Sequence, residues 1–208
     1  MTIDEFVKYV ERQLRRAKVK LIRGPGRYIR HLEDNSKVGG WYDEENQALA
    51  IATGLGKKTW SRLLLHEFCH FLQNKEHSPA WDATFIYRNG AAHDVVADLW
   101  AWLAGEDFDK YYIELVIELT KRLELDCERR ATRLIKELEL PFNLKRYAQQ
   151  ASAYIHFYNI LKETRKWSLP GKAPYKIPEI TQVMPTTLRG SYLYTPIKIK
   201  KLFIKHCY

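Results

Sequence analysis

The chain has 208 residues, of which 46% are apolar and 13% aromatic, enough for one substantial core and a globular protein. No uninterrupted apolar run reaches the length of a membrane span, and the charged start, Met-Thr-Ile-Asp-Glu-Phe-Val-Lys, lacks the apolar stretch of a secretory signal. With a net charge of +9 and three cysteines (Cys69, Cys127, Cys207) in no zinc-finger spacing, a cytoplasmic protein with reduced thiols and no membrane partner is expected.

Thr2 or Asp4 can cap a first helix, in which Ile3, Phe6, Val7, Val10 and Leu14 recur at helical spacing. Arg12, Arg15, Arg16 and Lys18 crowd its end, where positive charge suits the helix dipole. Residues 19–22 read as extended, and Gly24-Pro25-Gly26 as a loop. A strand is predicted at 27–32, a turn at 33–36, and a hairpin that pairs 38–42 with 48–52. Gly39 and Gly40 in that hairpin permit another backbone to approach closely. A loop over 53–59 follows, and Thr59 or Ser61 can begin the next helix.

That helix covers residues 60–73 and contains His66, Glu67 and His70 in the pattern H-E-x-x-H. At about 100° per residue, His66 and His70 lie roughly 40° apart and one turn removed, so both imidazoles can reach one metal ion. Glu67 sits beside them, where it can touch a metal-bound water. Leu64, Leu65, Phe68, Phe71 and Leu72 supply an apolar surface, and Cys69 reads as a small core residue. The competing reading is a solvated or core-satisfied histidine pair.

After a loop at 74–79, a helix is predicted at 91–104 on Val95, Val96, Leu99, Trp100 and Leu103, ended by Gly105. A long helix over 107–140 stops at Pro141, and Asn143 caps another that runs to about residue 166. From Trp167 on, Pro170, Pro174, Pro178, Pro185 and Pro196 divide the chain into extended pieces. The organisation expected is therefore α+β: a small antiparallel or mixed sheet and a mostly helical body over 1–166, with an extended tail over 167–208 packed on it. The tail has no acidic residue after Glu179 but keeps Arg189, Lys198, Lys200, Lys201 and Lys205, with Tyr192, Tyr194 and Phe203 interleaved. It reads as an edge strand protected by lysines, or alternatively as a contact for nucleic acid or an acidic partner.

A catalytic zinc site needs three protein ligands and one open position. The histidine that metzincins place ten residues after the first is absent: Glu76 stands there, His77 follows, and Gln73 replaces the required glycine. His93, Asp94 and Asp98 read as helix-start or surface residues. Carboxylates at Glu124, Asp126 and Glu128 lie on the long helix, in Glu124-Leu-Asp-Cys-Glu128-Arg-Arg-Ala131-Thr132. Together with H-E-x-x-H, this stretch resembles the gluzincin type of zincin metallopeptidase, particularly compact intracellular members. The overall layout also looks like small metallopeptidase-like proteins encoded by bacteriophages, for which the cytoplasm would be the host's.

The resemblance covers roughly residues 37–138. It implies Zn2+ held by His66, His70 and Glu128, with Glu67 as general base in peptide-bond hydrolysis. Glu128-Arg-Arg-Ala131 fits the family's E-x-x-A pattern, but Thr132 stands where the family has Asp or Asn to orient a ligand histidine. Glu124 is the rival third ligand, with Glu128 then behind it, and solvated helix charge is the structural alternative. Tyr154, His156, Tyr158, His77 and His93 are candidate donors to the developing oxyanion. A second function class is a peptidase-derived module that binds DNA or nucleoprotein and carries a structural metal.

Overall fold

The computed structural model describes residues 1–32 and 35–208, which divide into two compact units: 1–78 with 133–141, and 79–132 with 142–208. In the first unit, α1 (Ile3–Arg16) opens with a capping box. The Glu5 N–H donates to Thr2 Oγ1 at 3.3 Å, and the Thr2 N–H donates to the Glu5 carboxylate at 2.7 Å. Phe6, Val7, Val10 and Leu14 form its buried face.

The strands of this unit are β1 (Lys20–Gly24), β2 (Ile29–Arg30), β3 (Lys37–Val38), β4 (Gly40–Asp43) and β5 (Ala48–Ala52). The order β1-β5-β4 makes β5 central, parallel to β1 and antiparallel to β4. All five of its residues are buried, which explains the unbroken run Ala-Leu-Ala-Ile-Ala. The predicted hairpin thus forms as β4 and β5, with Trp41 opposite Ala50. The strand expected at 27–32 contracts to Ile29 and Arg30, paired only with β3. Of the turn expected at 33–36, Glu33 and Asp34 lie outside the described residues.

The helix α2 (Lys57–Lys75) packs on β4, β5 and α1. It starts two residues before Thr59, with Gly56 at the cap position and no side-chain cap, so neither Thr59 nor Ser61 begins it. Leu64, Leu65 and Phe68 are fully buried, each contributing about 1.5–3 kcal/mol of burial free energy. A Cβ on Gly40 would lie 3.1 Å from the Ala50 carbonyl oxygen and 3.0 Å from Glu67 Cγ. The missing side chain on β4 therefore makes room for the Glu67 side chain of α2.

The second unit begins with α3 (Pro79–Asp82), followed by an antiparallel hairpin of β6 (Phe85–Arg88) and β7 (Ala91–Asp94). Asn89 and Gly90 both take positive φ at its tip, 50° and 82°, as a tight hairpin turn demands. This corrects the helix predicted at 91–104, whose first four residues are strand. The helix proper is α4 (Val95–Ala104): Asp94 Oδ1 accepts from the Val96 N–H at 2.8 Å, and Gly105 ends it at φ 116°. The expected long helix is α5 (Lys110–Glu137), and α6 (Leu144–Thr164) starts where Asn143 Oδ1 accepts from the Arg146 N–H at 2.9 Å.

The chain then forms a 3₁₀ turn (Pro174–Lys176), α7 (Pro178–Thr181) and α8 (Ile197–Cys207). The extended tail and its lysine-protected edge strand are therefore corrected: residues 197–207 are helical. The cause is a helical repeat in which Phe203 and Cys207 are fully buried and Ile199 and Leu202 partly so. Lys198, Lys201 and Lys205 face outward, and Lys200 pairs with Glu163. The core of this unit gathers Val95, Leu99, Val116, Phe157, Ile160 and Phe203, with Trp167 edge-on to Phe157 at 5.3 Å. No helix among the described residues is long and apolar enough to cross a membrane.

Candidate metal centre

The α2 helix carries the three motif residues with a largely buried surface around them; Phe68, Cys69 and Phe71 are in the core, as the spacing predicts. His66 Nε2 and His70 Nε2 stand 3.2 Å apart, with the rings nearly perpendicular at 87°. Two nitrogens each about 2.0–2.1 Å from one tetrahedral zinc would be about 3.3–3.4 Å apart. The spacing thus fits a shared metal.

The ring orientation of His70 has a clear cause. Its Nδ1 lies 2.8 Å from Gln73 Oε1, and Gln73 is fully buried. An amide oxygen only accepts, so the His70 proton sits on Nδ1 and the Nε2 lone pair is available to a metal. Gln73, noted in the sequence only as a departure from the metzincin glycine, is an orienting residue for His70. Its signal was its position three residues after His70, one helical turn away. Gln73→Ala is expected to lower zinc affinity by about 10–100-fold while the helix stays folded. Competition with a chromophoric chelator checks this, and parental affinity would remove Gln73 from the site.

Glu67 is 7% exposed, with its side chain resting on Gly40. β4 is the last strand of its sheet, and the close approach at Gly40 brings the motif carboxylate onto the face of that strand.

On α5, Glu124, Cys127 and Glu128 are all buried, and Ala131 is fully buried at the small position that the motif predicts. Asp126 is partly exposed and spends its charge on Arg130, 2.7 Å away. The Thr132 hydroxyl donates to the Arg129 carbonyl at 2.8 Å, so it is bonded to its own helix. Cys127, fully buried on the same helix, adds a thiol to the donors that α5 offers beside Glu128. It was expected only as a reduced thiol, and nothing in the cysteine spacing marks it as a ligand.

The remaining candidates have other partners. His93 lies on β7, 3.3 Å from Asp98 and edge-on to Tyr112, and Asp94 caps α4. His77 sits just past α2 in a left-handed conformation, φ 47°. Tyr154 and Tyr158 have hydroxyls 3.1 Å apart. Burial, then the Glu124 charge, pushes both phenols well above their ordinary range, so both keep their protons. His156 bonds Thr195 rather than any motif residue.

Comparison of the chain with protein-family models, with curated proteins and with solved structures finds no match.

Proposed function

We propose that the protein is a zinc-dependent metallopeptidase in which His66, His70 and Glu128 hold Zn2+ and Glu67 is the general base. The observation that carries this reading is the pair of imidazole nitrogens 3.2 Å apart, one oriented by Gln73, with Glu67 next to them on the same helix. When bound, Zn2+ would polarise the scissile carbonyl and bring the pKa of its water to about 7. The Glu67 carboxylate takes a proton from the attacking water and delivers it to the leaving amine nitrogen as the C–N bond breaks and the C–O bond forms. Its seat against Gly40 fixes the carboxylate in place, which limits the reorganisation needed at the moment of transfer. An extended peptide that paired with the outer edge of β4 would run past this carboxylate, so the substrate is an unfolded or locally extended protein segment.

The purified protein should carry about one zinc per chain, as a single mononuclear site requires. It should cleave an unfolded protein such as casein, lose that cleavage with a chelator, and regain it when zinc is restored. Cleavage that persists after all zinc is removed would overturn the reading.

A further inference from the structure

A second place in the molecule combines an unsatisfied buried group with a cavity, and it lies entirely within the second unit. The loop that leads into α8 encloses a cavity of about 340 Å³, lined by His156 of α6 and by residues 189–194, including Arg189, Ser191, Tyr192 and Tyr194. No acidic residue lines it among the described residues. Its wall is fixed at several points. The Arg129 guanidinium donates to the carbonyls of Arg189 and Gly190 at 3.1 and 2.6 Å. Lys121 Nζ and Asn159 Nδ2 both donate to the Tyr192 carbonyl, at 3.2 and 3.0 Å. The Arg189 N–H donates to the Tyr192 hydroxyl, which lies 2.8 Å from Ser152 Oγ. A loop held this way is preformed rather than awaiting a ligand to order it.

His156 is 1% exposed, and its Nε2 is buried with no hydrogen-bond partner. Its Nδ1 lies 3.0 Å from Thr195 Oγ1, which accepts from Asn159 Nδ2 at 3.2 Å. The threonine has one proton to give, either to Nδ1 or to the more distant His156 carbonyl at 3.4 Å. With the hydroxyl proton given to Nδ1, the imidazole carries its own proton on Nε2, the tautomer that an anion in the cavity would select. Burial first, then the charges of Arg189 and Lys121, lowers the His156 pKa to about 4, so the ring is neutral at pH 7. In that tautomer a buried N–H donor has no acceptor among the described residues, and His156 and Arg189 both line the cavity.

We propose that this cavity binds an oxyanion, the carboxylate or phosphate group of a small organic molecule, between the Arg189 guanidinium and His156 Nε2–H. The volume is at the small end of ligand pockets and exceeds what a bare ion needs. Leu193 and Tyr194, each 75% exposed, offer apolar surface at the rim for the rest of the molecule.

The test follows the His156 ring by nitrogen–proton NMR correlation in the full-length protein, while inorganic phosphate or acetate replaces chloride at constant ionic strength. A saturable shift of Nε2 is expected, with Kd on the order of 1 mM. Loss of one charge-assisted contact in Arg189→Gln should weaken binding by at least about tenfold. Arg189 is exposed, so that variant should fold, and an unchanged amide spectrum elsewhere checks this. Saturation by phosphate alone assigns a phosphate ester, and saturation by acetate alone assigns a carboxylate. No saturable shift with either anion, or parental affinity in Arg189→Gln, would overturn the proposal.

Discussion

With Glu67 as the general base of the proposed zinc site, Glu67→Gln is expected to retain zinc and to lose peptide hydrolysis by on the order of 10³-fold in kcat. The substitution is nearly isosteric. The amide occupies the same space over Gly40, where the Glu67 Cγ and a carboxylate oxygen already come within 3.0 and 3.2 Å of the position a Cβ would take. The helix should therefore stay in register, with His66 and His70 in place. What disappears is basicity, because a carboxamide cannot take a proton from water at neutral pH. In the proposed mechanism the loss belongs in kcat, since Glu67 would act in the transition state and contribute little to holding the peptide. Zinc content, melting temperature and steady-state cleavage of an unfolded substrate should be measured on the same preparation. Full zinc with parental cleavage would remove Glu67 as the base, whereas lost zinc with lost cleavage would instead make Glu67 a structural part of the site.

The sequence disclosed those parts of the molecule in which neighbouring residues decide the outcome. α1, α5 and α6 follow from apolar spacing with Thr2, Pro141 and Asn143 as punctuation, and the hairpin of β4 and β5 follows from two strand-forming stretches on either side of an acidic turn. The hairpin of β6 and β7 was legible in principle: Asn89-Gly90 is a strong tight-turn signal, but the apolar repeat that begins at Val95 drew the helix back over four strand residues. α8 was hidden by its lysines and by the prolines before it. Its apolar repeat at Ile199, Phe203 and Cys207 gains meaning only once the side chains have a core to enter. The site shows the same division. His66, Glu67 and His70 declare themselves because one helix fixes their spacing, and Gln73 could have been read from the same helix. Cys127 could not, because a single cysteine within a helix, more than fifty residues of chain beyond the histidines, carries no ligand spacing.

The third ligand gives the second large effect: Glu128→Gln is expected to lower zinc affinity by more than the ~100-fold that an orienting group controls. Cys127→Ser should leave affinity near the parental value. Glu128 is a buried carboxylate, 7% exposed. It also stands three residues before the fully buried Ala131, where the motif requires a small side chain. Cobalt distinguishes the two donors directly. A thiolate ligand gives cobalt a sulfur charge-transfer band in the near ultraviolet, which a carboxylate does not. The cobalt-loaded parent should lack that band, and Glu128→Gln should fail to retain the metal. A band that vanishes in Cys127→Ser would instead assign the third position to the thiolate. A softer ligand that donates more charge would then leave the metal a weaker Lewis acid, and the cleavage rate of the parent would have to be explained with less help from it.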